Sequence, residues 1–62
     1  MNDSPLMTMA ETAAFLRLTE DTCYRLAQAG KLPVVKLGKS LRVPREALLA
    51  FIDEKAREAV RA

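Results

Sequence analysis

Sixty-two residues make a single domain, and a marginal one, because a chain this short buries only about 60% of the surface it exposes when unfolded. Half of the residues are apolar, enough for a packed core and too many for a disordered tail; no apolar run approaches the roughly 20 residues of a membrane span. One cysteine and no histidine exclude an internal disulfide and leave too few ligands for a zinc site, so no cofactor or metal is expected.

The opening Met1-Asn2-Asp3-Ser4-Pro5 lacks the basic start and apolar stretch of a secretory leader, so a cytoplasmic location is expected, with no membrane partner. The net charge of +2 conceals a strong asymmetry. Residues 1–29 set Arg17 and Arg25 against Asp3, Glu11, Glu20 and Asp21, a net −2. Residues 30–45 hold Lys31, Lys36, Lys39, Arg42 and Arg45 with no acid, a net +5. Residues 46–62 return to −1, with Lys55, Arg57 and Arg61 against Glu46, Asp53, Glu54 and Glu58. A cationic segment between two mildly acidic ones steers polyanions.

The first helix is announced by Thr8 and Glu11, spaced as a capping box in which each side chain satisfies a backbone N–H of the other. Met9, Thr12, Ala13 and Leu16 then share one face, while Phe15 lies off that stripe and is expected against the third helix. Thr19 opens a second helix, with Glu20 and Asp21 in its first turn, where the helix dipole favours acids. That helix runs to about Ala29, and Gly30 supplies a left-handed closing residue. Only Arg17 and Leu18 separate the two helices, which forces a sharp crossing of helix-turn-helix type with Leu18 expected as the plug between them.

After Lys31-Leu32-Pro33 the period changes to two. Val35 and Leu37 flank Lys36, Leu41 and Val43 flank Arg42, and Gly38-Lys39-Ser40 is read as the turn between two strands. This register puts the four aliphatic residues on one face and Lys36 and Arg42 on the other. A third helix starts at Pro44-Arg45-Glu46, with Leu48, Phe51 and Ile52 as its core stripe and Ala56 and Ala59 as a weak extension. The fold class expected is mainly α with a small β-hairpin, in the order α-α-β-β-α. Residues 1–5 form a flexible start, 6–55 the folded domain, and 56–62 the end of the last helix, expected to fray.

Helical projection divides the second helix into a core side, Cys23, Leu26 and Ala27, and an opposite side, Asp21, Tyr24, Arg25 and Gln28, within about 100° of one another. Arginine suits guanine, glutamine suits adenine, and an acid can accept from cytosine; Tyr24 can reach a phosphate or lie on a sugar. An ordinary solvent face has the same composition, so the stripe acquires meaning only beside the basic hairpin. Catalysis has no equipment in this sequence: Cys23 falls on the apolar side, Asp53-Glu54 sits on an open helix face, and the two glycines are isolated. No enzyme activity and no small-molecule substrate are expected.

In order and spacing, Leu6-Met7-Thr8-Met9-Ala10-Glu11-Thr12-Ala13, Leu18-Thr19 and Thr22-Cys23-Tyr24-Arg25-Leu26 resemble the start of the excisionase-type, MerR-like winged helix-turn-helix domain. Gly30-Lys31-Leu32-Pro33, Val35-Lys36-Leu37-Gly38-Lys39 and Arg42-Val43-Pro44-Arg45-Glu46-Ala47-Leu48 are similar to its wing and following helix, so the likeness covers residues 6–52. The resemblance implies a second helix in the major groove of double-stranded DNA, with Asp21, Thr22, Tyr24, Arg25 and Gln28 as its reading face. It implies a wing reaching the adjacent minor groove or backbone through Lys36, Lys39, Ser40 and Arg42. Phage members of the family bind repeated sites cooperatively, bend attachment DNA and direct integrase toward excision, so integrase and neighbouring protomers are expected partners. Residues 56–62 then have a second reading, as a contact between protomers on DNA. A transcription regulator of the same fold acting at one operator is the alternative, and an adaptor whose basic wing meets an acidic protein is a further one. Two departures stand out. Many members have glycine where this chain has Arg17, so either Arg17 is left-handed, costing about 1–2 kcal/mol, or the turn is built differently. Many also begin the second helix with basic or small polar residues, whereas Glu20 and Asp21 repel phosphate and shift affinity toward the wing.

Overall fold

Thr8 does cap the first helix, and reciprocally: its Oγ1 accepts the Glu11 N–H at 3.0 Å while Glu11 Oε1 accepts the Thr8 N–H at 2.9 Å. The computed structural model describes residues 5–61, and its elements are β1 (Leu6–Met7), α1 (Met9–Leu16), α2 (Glu20–Gln28), β2 (Val35–Leu37), β3 (Ser40–Pro44) and α3 (Arg45–Arg61). This is a winged helix-turn-helix, mostly helical, with a small antiparallel sheet in the order β1-β3-β2. The flexible start expected over residues 1–5 lies, apart from Pro5, outside the described residues. The Pro5 carbonyl accepts the Arg45 N–H at 2.7 Å, tying the chain entry to the start of α3.

The sheet has one strand more than the hairpin expected. Leu6 pairs with Pro44 and Met7 with Val43, so β3 is central and its Val43 is fully buried. Two residues are too short a run to show a period, which is why β1 is silent in the sequence.

The hairpin register also differs from the one the alternation suggests. Leu37 pairs with Ser40, Lys36 with Leu41 and Val35 with Arg42, so the loop holds two residues, Gly38 and Lys39. Gly38 has φ +64° and Lys39 a negative φ, the pattern of a two-residue turn with glycine first, whose twist matches that of the strands. Shortening the loop by one residue rotates one strand's side chains relative to the other's. The four aliphatic residues therefore do not share a face, and neither do Lys36 and Arg42. Leu41 and Val43 turn inward and Val34 joins them against the core, while Val35 (37% exposed) and Leu37 (53%) stand outside beside Ser40 and Arg42.

The core is Met7, Met9, Ala13, Cys23, Leu32, Val43 and Leu48, with Leu16, Leu26, Ala27, Phe51 and Ile52 packed around it. Thr12 is buried among them, and its hydroxyl donates to the Thr8 carbonyl at 2.9 Å, so the burial leaves no orphaned polar atom. Leu18 is 41% exposed and is no plug; Phe15, 48% exposed, is not buried against α3 either. From Asp53 to Val60 every residue of α3 is exposed, Ala56 and Ala59 included, while the helix continues to Arg61.

Both helices of the helix-turn-helix close in the same way. In α1, Leu18 N–H donates to the Ala13 carbonyl and Arg17 N–H to that of Ala14; in α2, Lys31 N–H donates to Leu26 and Gly30 N–H to Ala27. Each closure needs one left-handed residue. Gly30 fills that place at φ +73°, but in α1 it falls to Arg17, at φ 60° and ψ 41°. A side chain costs about 1–2 kcal/mol in that conformation, and the structure shows that this cost is met. A Cβ at Gly30 would meet nothing within 4 Å, so conformation alone opposes it. Gly30→Ala is expected to lower stability by about 1 kcal/mol in a urea titration, without disturbing the fold.

Candidate nucleic-acid interface

The α2 helix is oriented by its apolar side. Cys23 is fully buried and Leu26 and Ala27 pack on the core, which leaves Asp21, Tyr24, Arg25 and Gln28 exposed on the outward side, as the projection predicts. Thr22 is half-buried, its hydroxyl 2.9 Å from that of Thr19, while Thr19 Oγ1 also accepts the Thr22 N–H at 3.2 Å. The Thr22 hydroxyl thus belongs to the cap of α2 in the free protein.

A groove of about 400 Å³ runs between α2 and the wing. Glu20 and Tyr24 of α2, Lys39, Ser40, Leu41 and Arg42 of the wing, and Thr8, Met9 and Ala10 at the start of α1 line it together. Tyr24 of the helix and three of the four wing residues thus meet at one concavity. Arg42 is half-buried there, its guanidinium donating to the Leu41 carbonyl at 2.8 Å. Lys36 does not line the groove and lies on the face of β2 that Leu41 shares across the hairpin.

Arg25 and Asp21, one turn apart, are joined. Nε and Nη2 of Arg25 both donate to Asp21 Oδ2, at 3.2 and 2.7 Å, with both side chains about three-quarters exposed. An exposed pair at this spacing contributes only about 0.3–0.5 kcal/mol, so it orients the guanidinium without locking it. The pairing also cancels the charge of Asp21, leaving Glu20 as the uncompensated acid of the outward side.

The Cys23 thiol has no accessible chemistry. Burial pushes its pKa up and the Glu20 carboxylate adds to the effect, so at neutral pH it is a thiol and a core residue. Among the described residues, no three His, Cys, Asp or Glu side chains gather as a metal site, and no helix is long and apolar enough to cross a membrane.

A helix-turn-helix with a basic two-stranded wing beside its second helix defines the class. Residues 6–56 match the family described as helix-turn-helix domain, and the chain belongs to this family of DNA-binding domains. It is 46% identical over 48 residues to two relatives from Mycobacterium tuberculosis, "Putative DNA-binding protein MT0521" of strain CDC 1551 / Oshkosh and "Putative DNA-binding protein Rv0500A" of strain ATCC 25618 / H37Rv. The match takes in 77% of this chain and 62% of each relative, so the chain spans a little under two thirds of their length. No solved structure matches it significantly.

Proposed function

We propose that this protein reads double-stranded DNA with the outward side of α2 and grips the backbone beside it with the wing, as an excisionase-type architectural factor. The observation that carries the reading is the shared groove, which Tyr24 lines together with Lys39, Ser40 and Arg42. In this arrangement Asp21, Tyr24, Arg25 and Gln28 address base edges and sugars in the major groove, with Thr22 at the helix entry. Lys39, Ser40 and Arg42 follow the neighbouring phosphates or minor groove, and Lys36 adds charge from the other face of the hairpin. The likeness of residues 6–52 to excisionases supports cooperative occupation of repeated sites, DNA bending and cooperation with integrase; catalysis has no part in it.

Gel-shift titration on attachment-site DNA with repeated sites tests the architectural role. Stepwise cooperative complexes with bent DNA are expected, and independent, unbent binding would contradict it. A recombination assay with the cognate integrase separates an excisionase, which promotes excision, from a transcription regulator, which does not. Neutralising about four to six phosphates gives a log–log salt slope of roughly −4 to −5. Lys39→Ala and Arg42→Ala are each expected to weaken binding to all sequences and to make that slope shallower by about 1. An absence of DNA binding at low salt would favour an acidic protein partner instead.

A further inference from the structure

We propose that Arg17, in the turn between α1 and α2, is a further DNA contact, an anchor for a backbone phosphate beside the first turn of α2. The proposal rests on the DNA-reading function above and extends it to a residue outside the reading face and the wing. Arg17 holds the left-handed conformation at φ 60°, the only described residue other than glycine to do so. The equivalent closure of α2 uses Gly30, so the backbone hydrogen bonds of such a turn make no demand for a side chain. A left-handed arginine persists where its side chain has work that glycine cannot do.

Among the described residues nothing takes up that work. The side chain is exposed, and among the described residues no carboxylate or carbonyl pairs with it. Two acids stand three and four residues away and neither takes it: Asp21 holds Arg25 instead, and Glu20 lines the groove. An unpaired guanidinium on a fixed backbone, beside the first turn of a helix that enters DNA, fits a phosphate oxygen. It also offsets the repulsion that Glu20 brings to this end of α2.

The test is fluorescence anisotropy with a short labelled duplex of mixed sequence across a salt series, using Arg17→Gly, Arg17→Gln and Arg17→Lys in the full chain. Arg17→Gly and Arg17→Gln are expected to bind roughly 3–10-fold more weakly, with the log–log salt slope shallower by about 1, and Arg17→Lys within about twofold of the parent. Arg17→Gly should at the same time melt at a higher temperature, since it relieves the left-handed strain; stability and affinity then move in opposite directions, which rules out misfolding as the cause. Parental affinity and slope in both the Gly and Gln variants would overturn the anchor. If Lys39→Ala and Arg42→Ala still weaken binding in that case, only the anchor is lost. If they do not, the DNA reading falls with it.

Discussion

Leu48→Ala is expected to remove about 2–5 kcal/mol of stability, because Leu48 is the largest fully buried side chain among the described residues. Leu48 is fully buried, on the first turns of α3, and packs in the cluster that includes Val43 of the central strand. Domains hold roughly 0.05–0.15 kcal/mol per residue, so one of this length has only several kcal/mol to lose. The variant should therefore show a strongly shifted urea midpoint or no folded baseline at all. A ligand that binds only the folded form stabilises it by about 2.7 kcal/mol at a hundred times its Kd. Saturating duplex should accordingly restore helical signal to Leu48→Ala. A variant with the parental midpoint would mean that the core is not centred where the structure puts it.

Arg25→Ala is expected to act on recognition and to leave the fold alone. Its pair with Asp21 is exposed and contributes only a few tenths of a kcal/mol, so the urea midpoint should barely move. A bidentate arginine on guanine discriminates by about 1–3 kcal/mol, so the ratio of specific to non-specific affinity should fall roughly 5–150-fold. Competition gel shifts with the selected site against random duplex read that ratio. The Asp21 contact matters here because it orients the guanidinium one turn back along the helix without locking it, so that release from Asp21 frees two N–H donors for a guanine edge. An unchanged ratio would remove Arg25 from the reading face.

Which features could be read from the sequence follows from how local their causes are. The Thr8–Glu11 box and the Thr19 cap depend on residues three apart, so both helix starts could be placed from the sequence. The inward side of α2 was equally legible, because Cys23, Leu26 and Ala27 repeat at the helical period. The hairpin was not. Counting Ser40 into the turn, instead of pairing it with Leu37, exchanges faces along one strand, and the odd-numbered alternation from Val35 to Val43 favoured the wrong count. Val34 and Leu32, which the pattern passed over, take the core positions that Val35 and Leu37 leave. Arg17 was visible as an anomaly, but only its backbone angles decide between a strained turn and a different one. The meeting of Tyr24 with Lys39, Ser40 and Arg42 depends on how the wing and α2 both pack on α1, which no local pattern encodes.

The central claim is that α2 and the wing engage one duplex together. Titrating isotope-labelled protein with duplex DNA and following backbone amide shifts by NMR tests this most directly. The account predicts that shifts concentrate in Glu20–Gln28 and in residues 36–42, rise together along the titration, and leave the exposed turns of α3 from Asp53 to Val60 undisturbed at a single site. Shifts confined to α3, or to the wing with α2 silent, would contradict it.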